Sequence, residues 1–445
     1  MDATQPNLLS ASDAARAIRD GAISSEQLTE ACLARVREID PKVEAWAYLD
    51  PEHALRQARA RDADRSEGKP VGPLHGVPVA VKDIIDTEDM PTEDGSVLHA
   101  GRTPAHDATV VAMLRAAGAV ILGKTVTTEF ATYTPGKTRN PHNPEHTPGG
   151  SSSGSAAAVA AAMVPLAVGS QTNGSVIRPA AFCGVYGFKP THGMIPRGGV
   201  MRLSRTLDHL GLFARTLEDI ALAAEQVIGH DLRDPDTRPR ARPPFVATIA
   251  EEPPLPPFVA FIKGPAWERA SEETVAAFAE LVATLGDRVV EVDLPPATHQ
   301  ALDWHRSIME AEMAANLELE WDKGRDQISE SLRGRLARGR AITALDYQRA
   351  CARIPVINEG FEEIFERCDA IVTPAAAGTA PRGLESTGDP AFCTLWTLCG
   401  MPALSLPLMR GENGLPMGVQ LVGRRNGDAR LLRTARWLAA RVEAG

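Results

Sequence analysis

The sequence predicts an α/β fold, because helix-like and strand-like segments alternate along the chain. Segment 76–86 (GVPVAVKDIID) is a short run rich in β-branched residues, which is typical of a buried strand. Segment 108–125 (ATVVAMLRAAGAVILGKT) predicts a helix that stops at Gly118, followed by another strand. An Ala-rich helix and the strand VPLAVGS come after a polar loop at 131–155, and strands return near the C-terminus.

Two serines mark the beginnings of N-terminal helices. Ser10 precedes an Ala- and Ile-rich stretch, and Ser24 has a glutamine, Gln27, at capping-box spacing. The second helix is predicted to run to Ile39, because Pro41 follows. Residues 304–365 are predicted to be largely helical, whereas the proline-rich segment 231–258 indicates an irregular connection.

Composition and charge exclude several classes of protein. The chain has 445 residues, of which 44% are hydrophobic and 23% charged, as in soluble globular proteins. Its net charge of −10 argues against direct binding to nucleic acid. The longest apolar run, 156–168, is shorter than the roughly 20 residues that span a bilayer. The N-terminus, MDATQPN, has no secretory features, so a cytoplasmic protein without membrane association is expected.

Cysteine and histidine patterns give no reason to expect a metal or another cofactor. The six cysteines are scattered and form no Cys-x-x-Cys pair, which indicates reduced thiols rather than disulfides or a zinc ribbon. His142 and His146 have ligand spacing for a helix, but Pro144 between them argues against a helix. A solvated loop pair is the better interpretation.

The loop at 149–155 matches two well-known motifs without their structural context. Gly150–Gly154 fits G-x-S-x-G, yet the preceding NPHNPEHTPG contains prolines that exclude the strand a nucleophile elbow requires. Gly149–Gly154 has the glycine spacing of a phosphate loop but lacks the lysine that follows in such loops. Neither motif is therefore assigned.

A second serine-containing turn, Gln171–Ser175 (QTNGS), follows the strand VPLAVGS. Asn173 and Gly174 tolerate positive φ angles, so successive N–H groups of this turn can face one concavity and form an oxyanion hole. The alternative is an ordinary turn between a strand and a helix, with Ser175 as a cap. The local sequence alone favours that plainer interpretation.

Several stretches together resemble the amidase signature family. They are PLHGVPVAVKD (73–83), DATVVAMLRAAGAVILGKT (107–125), the block from TPGGSSSGS to KPTHG (147–193), WTLCGMPALSLPLM and GLPMGVQLVGR. The resemblance implies one domain, 1–445, with a central mixed twisted β-sheet flanked by helices on both faces. Its expected parts are N-terminal helices (1–60), a signature core (61–230), an irregular and helical substrate-pocket insertion (231–365) and a return to the core sheet with a C-terminal helix (366–445).

The resemblance also implies a Ser–cis-Ser–Lys triad. Carried over onto this sequence, Lys82 is the base, Ser151 is the bridging residue after a cis Gly150–Ser151 peptide, and Ser175 is the nucleophile. The oxyanion hole would consist of the backbone N–H groups of Thr172, Asn173, Gly174 and Ser175.

These residue types suit amide hydrolysis. A serine hydroxyl becomes a good nucleophile only when a base removes its proton. Lys82 lies in an apolar strand, where burial would lower the pKa of its amine and let it accept that proton through Ser151. Without the family resemblance, an exposed lysine would be the default interpretation of Lys82.

The turn departs from the commonest family pattern at three positions. Gln171 replaces an aspartate, and Asn173 replaces a glycine; asparagine also tolerates the left-handed backbone, so the hole is expected to survive. The arginine comes third after the nucleophile, as Arg178, which resembles the malonamidase-like branch. That branch implies that Arg178 binds a substrate carboxylate. A buried structural salt bridge is the alternative, and both stay open.

Three functional hypotheses follow. The first is a stand-alone amidase that hydrolyses the C–N bond of a small carboxamide through an acyl-Ser175 intermediate, releasing ammonia or an amine. The second is the glutaminase (A) subunit of a tRNA-dependent amidotransferase, and the third is a pseudoenzyme scaffold. The acidic charge, the length and the altered turn favour the first, with a homodimer as the default assembly. Substrate specificity is expected in helices 304–360 and loop 131–148.

Overall fold

The computed structural model describes residues 5–443, and the strands in this part of the chain form one eleven-stranded sheet. The strands are β1 (Trp46–Tyr48), β2 (Pro78–Lys82), β3 (Val120–Thr125), β4 (Leu166–Gln171), β5 (Tyr186–Lys189), β6 (His209–Ala214), β7 (Val259–Phe261), β8 (Val289–Glu291), β9 (Ala370–Pro374), β10 (Ala403–Arg410) and β11 (Pro416–Val422). Their order across the sheet is β1-β3-β2-β4-β6-β5-β10-β11-β9-β7-β8.

Helices flank this sheet. The α-helices are α1 (Ala11–Arg19), α2 (Ser25–Val43), α3 (Pro51–Ser66), α4 (Thr109–Ala116), α5 (Ser153–Ala160), α6 (Ile177–Cys183), α7 (Leu217–Val227), α8 (Phe245–Ala250), α9 (Glu272–Leu285), α10 (Ala301–Asn316), α11 (Glu318–Gly324), α12 (Glu330–Ala341), α13 (Ala344–Phe365), α14 (Ala391–Leu398) and α15 (Asp428–Glu443). Short 3₁₀ helices lie at Pro6–Leu8, Val97–His99, Glu129–Ala131, Trp267–Arg269, Gly286–Arg288 and Pro296–Thr298. No helix within residues 5–443 is both long and apolar enough to cross a membrane.

The predicted α/β class and the mixed sheet are confirmed. Strands β3, β2 and β4 are parallel neighbours, as are β9, β7 and β8, whereas the strands between these two groups pair antiparallel. The central strands β2, β3 and β4 are buried along their whole length. Apart from polar residues near their carboxyl ends, such as Lys82, Lys124 and Ser170, these strands are apolar, which reflects burial on both faces of the sheet.

The N-terminal helix predictions are confirmed at their starts. The Ser10 side chain accepts a hydrogen bond from the Asp13 N–H, and Ser24 and Gln27 form the expected capping box. The predicted end at Ile39 is wrong, because α2 continues through Pro41 to Val43. A proline removes only one backbone donor, and in the last turn of a helix few bonds remain to be disrupted.

The segment 231–365 contains more than the predicted irregular and helical structure. Strands β7 and β8 lie within it and extend the sheet beyond β9, and the short helix α8 interrupts the proline-rich connection. Strand β1 likewise lies within the segment 1–60, for which only helices were predicted. Helices α10 to α13 occupy residues 301–365, in agreement with the helical prediction for 304–365.

Two features of the fold position the candidate site. The parallel strands β2 and β4 are neighbours, so their carboxyl ends lie at the same edge of the sheet. Lys82 is the last residue of β2, and the turn containing Ser175 begins where β4 ends. Helix α10 approaches the same region and packs closely against α12, where Gly339 lies against the Glu310 carbonyl.

We expect Gly339→Ala to destabilise the protein, because an added Cβ at residue 339 would overlap the backbone carbonyl of Glu310. Overpacking of this kind costs about 1–3 kcal/mol of unfolding free energy. Gly334→Ala, in the same helix, is the matched control: the nearest atom to its added Cβ is 3.7 Å away. It should stabilise by up to about 1 kcal/mol through helix propensity. Equal urea-unfolding midpoints for the two variants would contradict the close packing of α10 on α12.

Candidate active site

Lys82 is completely buried at the end of β2 and contacts two hydroxyl groups. Its Nζ lies 2.7 Å from Ser151 Oγ and 2.8 Å from Ser170 Oγ. No carboxylate within residues 5–443 forms an ion pair with this amine. Burial lowers the pKa of Lys82 well below its ordinary value, and the charge of Asp208 opposes that shift. These surroundings favour the neutral form of the Lys82 amine.

Ser151 lies in the loop that leads into α5. The peptide bond between Gly150 and Ser151 is cis, as the resemblance implies, and Gly149 has a φ of 82°. The Ser153 hydroxyl donates to the Gly149 carbonyl at 2.8 Å. Irregular backbone precedes the loop, which agrees with the rejection of a nucleophile elbow. The hydroxyl of Ser152, the central serine of the G-x-S-x-G match, donates to the Ser170 carbonyl at 3.1 Å.

Ser175 is the last residue of the turn 172–175, which follows β4. It lines a cavity that Lys82 does not line. Its side chain is almost fully buried, and within residues 5–443 its hydroxyl makes no hydrogen bond. The structure therefore joins Lys82 to Ser151 but forms no hydrogen bond from Ser151 to Ser175. Such bonds often tighten only when a substrate is bound.

The turn at 172–175 presents unused backbone donors. Among the described residues, none of the N–H groups of Thr172, Asn173, Gly174 and Ser175 donates to a protein acceptor. The turn is held from other directions: Gln171 Oε1 accepts from the N–H groups of Val176 and Ile177 at 2.8 and 3.0 Å. Adjacent N–H groups that are fixed but unsatisfied can stabilise negative charge on an oxygen atom.

The expected use of positive φ in this turn is wrong. Neither Asn173 nor Gly174 adopts a left-handed conformation. Asn173 instead contributes its side chain: Nδ2 donates to the Tyr133 hydroxyl at 3.1 Å, and Oδ1 accepts from the Thr394 hydroxyl at 2.6 Å. The Thr397 hydroxyl also donates to the Asn173 carbonyl at 2.5 Å. Side-chain hydrogen bonds, rather than backbone tolerance, fix this turn.

Arg178 is buried beside Ser175, and no carboxylate within residues 5–443 forms an ion pair with it. Its Nη2 donates to the Gly150 carbonyl at 2.7 Å and to the Thr387 hydroxyl at 3.1 Å. The Nε and Nη1 atoms are buried and have no partner within the described chain. The alternative of a structural salt bridge is therefore wrong. Since unsatisfied buried donors are costly, these atoms mark a place where a polar ligand would be stabilised.

The cavity at Ser175 is lined by both polar and apolar side chains. Besides Ser175 and Arg178 it is lined by Ala131, Thr132, Tyr133, Thr172, Asn173, Leu203, Met309, Met313 and Pro390. Its lining includes one cationic side chain and no acidic one. The lining draws on the two segments in which specificity was expected, 131–148 and 304–360.

The sequence analysis did not identify three residues that contact the site. Ser170 contacts Lys82, Asp208 accepts from the Thr172 hydroxyl at 2.6 Å, and His305 Nε2 bonds the Thr172 carbonyl at 2.9 Å. A polar residue inside the apolar strand VPLAVGS was a usable signal for Ser170. Asp208 and His305 gave no local signal, because their contact with the turn depends on tertiary packing.

The amidase family model matches residues 27–432, which shows that the chain belongs to this family. The resemblance stated from the sequence is thereby confirmed, and with it an enzyme acting on C–N amide bonds. The finer resemblance to a malonamidase-like branch stays a prediction.

Similar proteins fall into two groups. The A subunit of the glutamyl-tRNA(Gln) amidotransferase of Chloroflexus aurantiacus is 36% identical over 473 residues (97% of this chain, 96% of the relative). Its counterpart of the same name in Streptomyces coelicolor is 35% identical over 480 residues (98% and 95%). Among solved structures, the peptide amidase of Stenotrophomonas maltophilia has a TM-score of 0.86 at 29% identity (98% and 97% covered). A chain of a vestigial protein complex, reported to reveal the evolutionary origins of an s-triazine catabolic enzyme, has a TM-score of 0.90 at 29% identity (97% and 98% covered).

The names of the sequence relatives agree better with the second functional hypothesis, an amidotransferase component, than with a stand-alone amidase. The structural neighbours include a peptide amidase and a 6-aminohexanoate cyclic dimer hydrolase. What all of them share with this chain is the amidase fold, so the substrate must be argued from the cavity itself.

Proposed function

We propose that this protein hydrolyses a carboxamide through an acyl-enzyme intermediate on Ser175. The observation that carries the proposal is the contact of the buried Lys82 amine with the Ser151 hydroxyl, at the edge of the sheet where the turn 172–175 offers four free N–H groups. This combination supplies a base, a relay and an oxyanion hole without an ion pair or a histidine.

In the proposed reaction, Ser175 Oγ attacks the amide carbon and its proton passes through Ser151 to the Lys82 amine. The carbonyl oxygen becomes an oxyanion, which the N–H groups of the turn 172–175 stabilise. The C–N bond then breaks, and the departing nitrogen takes the proton back through Ser151, leaving as ammonia or an amine. Water, deprotonated by the same relay, cleaves the acyl-Ser175 ester and releases the carboxylic acid.

The cavity favours a carboxamide that also carries an acidic group. The free Nε and Nη1 atoms of Arg178 can donate to a carboxylate, which is the role the malonamidase-like resemblance implies. The lining contains no acidic side chain to receive an ammonium group. We therefore propose a small amide of a dicarboxylic acid as the substrate class.

A glutaminase component of a larger complex is the second candidate, because the similar sequences are named as parts of a glutamyl-tRNA(Gln) amidotransferase. Glutamine carries both a carboxylate and an ammonium group next to its carboxamide side chain. Arg178 could bind the carboxylate, but the ammonium group would need an acidic side chain from a rearranged loop or from a partner chain. Activity on glutamine would then depend on that partner.

Removing the proposed nucleophile or base should abolish turnover without unfolding the protein. Ser175→Ala removes a hydroxyl that makes no hydrogen bond within residues 5–443. The thermal unfolding midpoint of this variant should therefore equal that of the wild type. In the wild type, kcat/KM should fall as the pH is lowered, because protonation of Lys82 removes the base. Lys82→Ala should be inactive. A flat pH profile from 5 to 9, or activity in Ser175→Ala, would contradict the proposed roles.

Arg178 can be tested with paired substrates. Ammonia release by the purified chain is measured on succinamate, on the neutral analogue butanamide and on glutamine. We expect a preference for succinamate that Arg178→Gln reduces about 10- to 100-fold, the range for hydrogen bonds to a charged group. Butanamide hydrolysis is the internal control. An equal loss on both amides would show that Arg178 only supports the Gly150 loop, and a preference for glutamine would favour the amidotransferase hypothesis.

A further inference from the structure

Helix α10 turns one face toward the candidate site. His305, Met309 and Met313 are spaced by four residues, and such positions lie on the same face of an α-helix. His305 contacts the Thr172 carbonyl, while Met309 and Met313 line the cavity that contains Ser175. All three side chains are buried, with exposed fractions of 1%, 5% and 1%. The catalytic steps proposed above use none of them.

The other faces of α10 fix its position. Glu310 accepts from Arg338 Nε at 3.0 Å, which ties the helix to α12. Glu312 accepts from the Tyr347 hydroxyl at 2.6 Å and from the Thr206 N–H at 3.0 Å, which ties it to α13 and to the loop after β5. A helix held on several sides presents its remaining face at a constant distance from the cavity.

His305 sets that distance relative to the turn 172–175. Burial lowers the pKa of His305 to about 4, so its ring is neutral at physiological pH. With the proton on Nε2, the ring donates a hydrogen bond to the Thr172 carbonyl at 2.9 Å. One and two helical turns further along, the thioethers of Met309 and Met313 occupy the wall of the cavity. The register of α10 is thus fixed to the same turn that offers the free N–H groups.

We propose that Met309 and Met313 determine how long an acyl group the site accepts, with His305 as a positioning residue. This inference rests on the proposed function. Both side chains are apolar and almost fully buried on a helix that other contacts hold in place, so they can contact a short aliphatic acyl chain and leave little room for a longer one. Leu203 and Pro390 continue the apolar lining. The favoured substrates would therefore have only a short aliphatic chain between the scissile carbonyl and the carboxylate proposed to bind Arg178.

The test uses a series of amides that differ by one methylene: butanamide, pentanamide, hexanamide and heptanamide. Met313→Ala and Met309→Ala should move the preferred length upward, with kcat/KM for the longer amides rising about tenfold relative to butanamide. Met313→Phe should move the preference in the opposite direction. Ile308→Ala is the matched control, since Ile308 lies on α10 and is fully buried but does not line the cavity.

Thermal unfolding of each variant separates lost folding from altered specificity, and Met313→Phe tests the inference even if an alanine variant is unstable. A length preference that is unchanged in the methionine variants, or that shifts equally in Ile308→Ala, would overturn the inference while leaving the proposed function intact. If the wild type hydrolyses none of these amides nor succinamate, both fail.

His305 is tested by restoring its donor. His305→Leu should lower kcat and broaden the length preference, because α10 loses its bond to the Thr172 carbonyl. His305→Gln keeps an N–H donor and should recover much of both properties. Equal effects of leucine and glutamine on the length preference would contradict a positioning role for His305.

Discussion

The site depends on one interaction, the placement of the Lys82 amine in a buried position against two hydroxyls. Taking an ammonium group out of water without a carboxylate partner is costly, so the environment stabilises the neutral form. Ser151 and Ser170 satisfy its hydrogen bonding without supplying charge. The parallel pairing of β2 with β4 accounts for the contact with Ser170, because it brings the ends of both strands to one edge of the sheet, while Ser151 approaches from the loop before α5.

The surroundings of that amine separate the tasks of the site. Strand β2 carries the proposed base Lys82, and the loop 149–152 and strand β4 carry its hydroxyl partners, whereas the turn 172–175 offers N–H groups and Ser175. Arg178 connects the two parts, since it donates to the Gly150 carbonyl and also lines the cavity. Helix α10 then closes the cavity from the side. Lys82, Ser151 and Ser175 lie in segments that carry the family resemblance, whereas the cavity wall also draws on residues 131–133, Leu203, α10 and Pro390.

Much of this arrangement could be predicted from the sequence, for identifiable reasons. The Ser24 capping box and a buried strand within 76–86 are local patterns that were predicted correctly, although the strand is shorter than predicted and ends at Lys82. The contact of Lys82 with Ser151 was predicted only through the family resemblance, because Ser151 lies in a loop and no local rule specifies where a loop packs. The backbone of Asn173 was predicted wrongly, since tertiary hydrogen bonds from Thr394 and Thr397 fix that turn. His305 depends on helix docking and left no sequence signal.

The most direct test of this account is the titration of Lys82 itself, followed by NMR of the lysine side-chain amines, with Lys82→Met used to assign the signal. The account predicts that Lys82 loses its proton well below the ordinary lysine value of about 10.4. An exposed lysine such as Lys69 should remain protonated under the same conditions and serves as the internal reference. A Lys82 signal that titrates together with the exposed lysines would contradict the account, because the amine would then be an ammonium group and could not act as the base.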